Sequence, residues 1–229
     1  MLFPDLESRV AEVRSRIRAA AERGGRGQEV TIVAVTKTHG PEAVIAAHEV
    51  GLGDVGENRV QEAVAKMDAV SSPVRWHLIG HLQRNKVKSL DRFTLFHALD
   101  SARLADAVSI FGVERGKPVD ALVQVNVVGE ETKGGFSRAE LDEQIVRLTA
   151  LEGVRIRGVM TMARLGADEA ELRRTFSGAR DALEVVKGAG HPATELSMGM
   201  SSDYEIAIEE GATMVRLGTT LFGARESRR

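Results

Sequence analysis

The chain contains no cysteine, which excludes disulfides, thiolate metal sites and a cysteine nucleophile. It has no excess of either charge. Lys and Arg number 31 against 33 Asp and Glu, a formal charge of −2, so no basic field recruits nucleic acid or an anionic membrane surface. No apolar run approaches the roughly 18 residues that span a bilayer. Charges spaced through MLFPDLESRVAEVRSRIRAAAERGG leave no apolar stretch for an export signal. No Pro/Gly/Ser-rich linker or low-complexity run divides the sequence. What is there is an ordinary globular composition, 43% hydrophobic and 28% charged over 229 residues, long enough to bury a core without staples. The lack of cysteine is in keeping with a cytoplasmic home. We read residues 1–229 as a single domain.

Leu6, Val10, Val13 and Ile17 recur at helical spacing, with Asp5 placed to cap them and Gly24-Gly25 to stop them. This predicts an amphipathic helix laid on a core. Strand and helix patterns then alternate. EVTIVAVTK (29–37), DVGEN (54–58), VRWHLIG (74–80), FTLFHALD (93–100), PVDALVQVNV (118–127), VRIRGVMTMA (154–163), ATELSM (193–198) and ATMVRLG (212–218) read as strands. The segments between them, including QRNKVKSL, read as helices, the first opened by Pro41 and closed by Gly51. Eight such units in about 200 residues predict a (β/α)₈ barrel of TIM type rather than an open sheet.

Active-site groups of such a barrel gather at the C-terminal ends of its strands. Lys37 ends the first run, and by alternation shares a face with Thr31, Val33 and Val35. A lysine over an apolar floor loses hydration, which favours the neutral amine, and a neutral amine forms Schiff bases with carbonyls. At the far end of the chain, MGMSSDYEIAI (198–208) leaves a strand through Gly199 and enters a helix whose Ser-Ser-Asp start suits an anion. In MVRLGTTLFG (214–223), Gly218 permits close backbone approach and Thr219 offers a hydroxyl. The loops after strands 7 and 8 are a common phosphate site in barrels. An amine at strand 1 beside a phosphate cradle fits a small phosphorylated carbonyl compound. Pyridoxal 5′-phosphate (PLP) and the ketose phosphate of a class I aldolase both qualify, although no acid/base carboxylate stands out on the strand faces for an aldolase.

Other residues read as structure. Gly80 spoils a helical HxxxH from His77 and His81, and six histidines without cysteine speak against a metal site. Arg84, Lys86 and Lys88 read as a solvated helix face. Met160, Met162, Met198 and Met200 read as core filling, and the RESRR tail as frayed.

Several segments carry a resemblance. AVTKTHG (34–40), GENRVQE (56–62), WHLIGHLQRNK (76–86), VQVNVVGEETKGG (123–135), GVMTMA (158–163), LSMGMSSDYEIAI (196–208) and MVRLGTTLFGAR (214–225) resemble, in order, the YggS/PROSC family of pyridoxal-phosphate homeostasis proteins. The resemblance implies a barrel similar to the N-terminal domain of alanine racemase, carrying PLP. It implies that Lys37 forms the Schiff base, that Ser201, Gly218 and Thr219 hold the phosphate, and that Arg216 faces the pyridine nitrogen. Asn58 would line the pocket, with His81 near it. An arginine there disfavours protonation of the ring nitrogen and weakens the ring as an electron sink. The implied function is PLP homeostasis without an established reaction, with PLP-dependent apoenzymes as partners and a monomeric state. The alternative is an amino-acid racemase, which would need a second base, and the single tyrosine, Tyr204, stands early in a helix.

Overall fold

The strand patterns close on themselves. In the computed structural model, which describes residues 3–129 and 134–223, eight parallel strands form a closed barrel in chain order. They are β1 (Thr31–Val35), β2 (Asp54–Glu57), β3 (Arg75–Leu78), β4 (Leu95–Leu99), β5 (Val119–Gln124), β6 (Val154–Met160), β7 (Glu195–Ser197) and β8 (Met214–Leu217). The tail at 225–229 lies outside the described residues. Closure comes from β1 pairing with β8, in the register Thr31–Met214 through Ala34–Leu217. The paired segments are shorter than the apolar runs that foretold them. The run at 29–37 supplies only five strand residues, because the chain turns away as soon as it clears its neighbours.

The helices are α1 (Leu6–Gly24), α2 (Pro41–Glu49), α3 (Val60–Ala69), α4 (Ala102–Glu114), α5 (Arg138–Leu148), α6 (Glu169–Gly188), α7 (Tyr204–Glu209) and α8 (Thr219–Phe222). In α1 the periodic Leu6, Val10, Val13 and Ile17 are all buried, and Gly25 stops the helix in the left-handed conformation. Asp5 does not cap it. Its side chain makes no capping bond and pairs instead with Arg9 one turn on, at 3.3 Å. Between β3 and β4 the expected helix is a 3₁₀ segment, Arg84–Arg92, in which Leu90 alone is buried. One apolar anchor gives no stripe to hold a full α-helix down. Among the described residues, no helix is long and apolar enough to cross a membrane.

Alternation along β1 sorts the barrel into an outer apolar layer and a lumen. Ile32 and Ala34 join the apolar core under the helices. Val33 lies in register with Asp54 on one side and Arg216 on the other, and these three face the lumen. That lumen is polar, and this decides the chemistry available to the site.

Candidate cofactor site

The chain leaves β1 at Val35, so Lys37 stands two residues past the strand. The expectation that it ends the strand, sharing the face of Val33 and Val35, is therefore corrected. Lys37 occupies the second position of a β-turn closed by the His39 N–H to Thr36 carbonyl bond of 3.1 Å. The third position is Thr38, with φ of 70°, where a type II turn ordinarily takes glycine. The turn is gripped from α3. Lys66 Nζ donates to the Thr36 carbonyl at 2.8 Å, to Glu57 Oε1 at 2.6 Å and to Glu62 Oε1 at 2.9 Å. Glu62 Oε1 also accepts the Thr38 N–H at 2.6 Å. Glu57 is fully buried. Burial pushes its carboxyl up, against the hydrogen bonds from Lys66 and Thr36.

Next to β1 around the barrel, the loops after β7 and β8 meet. Ser201 Oγ accepts the Thr220 N–H at 3.3 Å, which leaves the Ser201 hydroxyl proton for another acceptor. Thr219 opens α8 and is exposed. Among the described residues, the N–H groups of Ser201, Ser202 and Thr219 have no protein acceptor. Gly218 has φ of −116°, open to any residue. A Cβ there would make only ordinary contact, 3.5 Å from the Val35 carbonyl oxygen. Neither backbone nor neighbours demand glycine at 218, so the space above it suits a ligand approaching the main chain. Asp203 does not cap α7 as the Ser-Ser-Asp run predicted. Its carboxylate turns back and accepts the Met200 N–H at 2.6 Å, tightening the loop that carries Ser201.

Arg216 is buried in the lumen, where Nη1 donates to the carbonyl and Oγ of Ser197 at 2.9 and 2.6 Å. Nη2 donates to the Thr161 carbonyl at 2.9 Å. Burial lowers its pKa to about 10, with Asp203 opposing, so it stays a guanidinium at neutral pH. Three of its five N–H groups are thus engaged by the barrel wall.

Behind Arg216 runs a chain of side chains that the sequence analysis did not assemble. His97 Nδ1 lies 3.0 Å from Ser197 Oγ, His97 Nε2 lies 2.9 Å from His77 Nδ1, and His77 Nε2 lies 2.9 Å from Asp54 Oδ1. Burial holds His97 well below the usual imidazole value, and the cationic form of His77 and the Arg216 guanidinium push the same way. Donor roles then follow in order. Arg216 can only donate, so Ser197 gives its own proton to His97 Nδ1. The His97 proton sits on Nε2 and goes to His77, whose Nε2 proton goes to Asp54. The expected lack of carboxylates in the barrel is corrected by Asp54 on the lumen face. The singletons lie far apart in sequence on β2, β3, β4 and β7, and only closure brings them together. The one signal available was a histidine inside each of two apolar strand runs.

Asp54 also makes this chain pH-sensitive. Burial would push its pKa up, but the hydrogen bonds from His77 and Arg75 prevail and hold it at about 2 against 3.8. A depressed carboxyl stabilises the fold above its unfolded pKa and loses that contribution as pH falls through the folded one. Denaturant unfolding measured between pH 4 and pH 2 is expected to show a loss of roughly 2 kcal/mol from this group. The Asp54→Asn variant should lack that share of the acid limb; an unchanged limb would mean the pairing does not form.

The remaining candidates are at the rim or outside it. Asn58 follows β2 directly, half-buried, and Gly80 packs so closely against its backbone that a Cβ there would run into the Asn58 carbonyl. His81 is exposed and pairs through Nδ1 with Asp100 at 2.7 Å. Tyr204 is buried, with its ring under the Arg16 guanidinium of α1 at 5.6 Å.

A closed barrel with its polar groups on the loops after β1, β7 and β8 defines a class. Residues 9–226 match the family described as alanine racemase, N-terminal domain. Within that class the chain belongs to the family of the pyridoxal phosphate homeostasis proteins. It is 40% identical over 222 residues to the pyridoxal phosphate homeostasis protein of Aquifex aeolicus (strain VF5), covering 95% of this chain and 97% of the relative. To that of Escherichia coli (strain K12) it is 38% identical over 231 residues, covering 97% of each. The solved structure of PipY from Synechococcus elongatus PCC7942 with PLP bound matches with a TM-score of 0.85 and 36% identity. That match covers 95% of this chain and all 100% of PipY. The family and barrel expected from the sequence motifs are both borne out.

Proposed function

We propose that this protein binds PLP for the cell's PLP homeostasis, as one domain over residues 1–229, monomeric and cytoplasmic, passing the cofactor to PLP-dependent apoenzymes. Lys37 holds it as a Schiff base. Ser201, Gly218 and Thr219 hold the phosphate, Arg216 donates to the pyridine nitrogen, and Asn58 lines the rim. Bound PLP supplies an aldehyde that exchanges one amine for another. The observation that carries this reading is the pairing of a donor-rich cradle after β7 and β8 with a buried guanidinium two residues before Gly218. Arg216 lies on β8, the strand that closes the barrel against β1, whose end leads to Lys37. The PLP-bound PipY relative and the names of the curated relatives support the same ligand.

The chain's own groups suit holding rather than turnover. Arg216 cannot give up its proton to the ring nitrogen at neutral pH, and Tyr204, the single tyrosine, is packed under Arg16. Borohydride reduction of purified protein incubated with PLP, followed by peptide mass mapping, is expected to find a pyridoxyl group on Lys37. A label on Lys86 or Lys133 with Lys37 unmodified would overturn the assignment.

A further inference from the structure

We propose that Glu62 and Lys66 of α3 position the Lys37 amine by clamping the turn that carries it, an inference that rests on Lys37 as the PLP anchor. The turn does not hold itself. Thr38 takes a left-handed φ of 70°, which strains a β-branched residue and persists only where the surroundings impose it. They do so on both sides of Lys37. The carbonyl before it, that of Thr36, accepts from Lys66 Nζ at 2.8 Å, and the N–H after it, that of Thr38, donates to Glu62 Oε1 at 2.6 Å.

The two clamping groups are tied to each other at 2.9 Å as an i, i+4 pair on one helix face. Lys66 is buried, with its side chain 5% exposed, and its three protons meet three acceptors. If burying the lysine were the whole purpose, Glu57 would suffice as partner. The bonds to Thr36 and, through Glu62, to Thr38 are spent on the flanks of Lys37. Glu57 anchors the clamp to β2 and also accepts from Thr36 Oγ1.

The consequence is a split between two kinds of ligand. A correctly aimed amine matters only to a ligand that bonds to it. Pyridoxine 5′-phosphate keeps the ring and phosphate but lacks the aldehyde, so it reads the rest of the site alone. Lys66→Met would strand the buried Glu57 carboxylate and risk the fold, so Glu62 is the position to vary. Glu62→Ala is expected to lower PLP affinity about tenfold, the loss of one hydrogen bond to a charged group, and to reduce the borohydride-fixed fraction on Lys37. Pyridoxine 5′-phosphate should bind within about twofold of wild type. Glu62→Gln keeps an acceptor for the Thr38 N–H and should restore most of the PLP affinity. Glu62→Ala/Thr38→Gly should do so too, because glycine takes the left-handed turn unaided. Equal losses for both ligands, or no loss for either, would overturn the clamp. Wild-type protein that binds both ligands alike and yields no reduced adduct on Lys37 would overturn the Lys37 reading itself, and the clamp with it.

Discussion

Ser201→Ala/Thr219→Ala is expected to weaken PLP binding by two orders of magnitude or more. Each hydroxyl that donates to a phosphate contributes roughly 1.5–3 kcal/mol, about ten- to a hundredfold in affinity. Both act on one phosphate from loops tied together by the Ser201–Thr220 bond, so their losses are coupled and the lower end of their sum is expected. The structure sharpens the expectation for each. Ser201 Oγ already accepts the Thr220 N–H, so its own proton is left for a ligand, and its removal costs one of the two bonds between the β7 and β8 loops, the Thr220 hydroxyl keeping its bond to the Ser201 carbonyl. Thr219 is exposed and its side chain makes no hydrogen bond among the described residues, so its truncation should leave stability unchanged while affinity falls. Titration of PLP by absorbance, beside thermal melting of the apo-proteins, separates the two effects. Unchanged affinity in the double variant would mean that the phosphate lies elsewhere.

The barrel was legible because each strand is an apolar run bounded by polar or glycine residues, and eight such runs leave few architectures open. Their ends were not, since the pattern of residues 29–37 does not reveal that pairing stops at Val35. Lys37 was legible as a candidate but not as part of a turn, because the left-handed position is filled by Thr38 rather than by a glycine that would announce it. The donor-bearing loops after β7 and β8 were read from two local motifs, and locality is why they were readable. The lumen chain is the opposite case. Asp54, His77, His97 and Ser197 each look like an isolated polar residue in its strand, and only the closed sheet makes them neighbours. Lys66 escaped notice for a similar reason. A lysine on an amphipathic helix reads as solvated until α3 is seen to lay it against the end of β2.

Arg216→Glu is expected to be the most destabilising single change in the site, by about 3–5 kcal/mol, the cost of a buried charge stripped of its partners. The wall around residue 216 is built of acceptors, namely the carbonyls of Ser197 and Thr161 and the Ser197 hydroxyl. The nearest buried acid that bears on it is Asp203. A carboxylate there would meet two carbonyl oxygens and a like charge, with no donor but the serine. That serine is already committed to His97. Arg216→Lys keeps the charge and part of the donor set, so its loss should be smaller. Denaturant midpoints of the apo-proteins at neutral pH would rank the variants, and a loss below about 1 kcal/mol for Arg216→Glu would show that the acceptor wall does not form. The same geometry bears on chemistry. With bound PLP placed as proposed, an arginine fixed by three bonds and unable to release its proton would keep the ring nitrogen unprotonated and leave the ring a weak electron sink. Amino-acid transamination by the wild type should accordingly fall far below ordinary enzyme turnover of roughly 1–10³ per second. Turnover in that range would mean that Arg216 does not control the ring nitrogen, and that the protein is an enzyme rather than a holder of its cofactor.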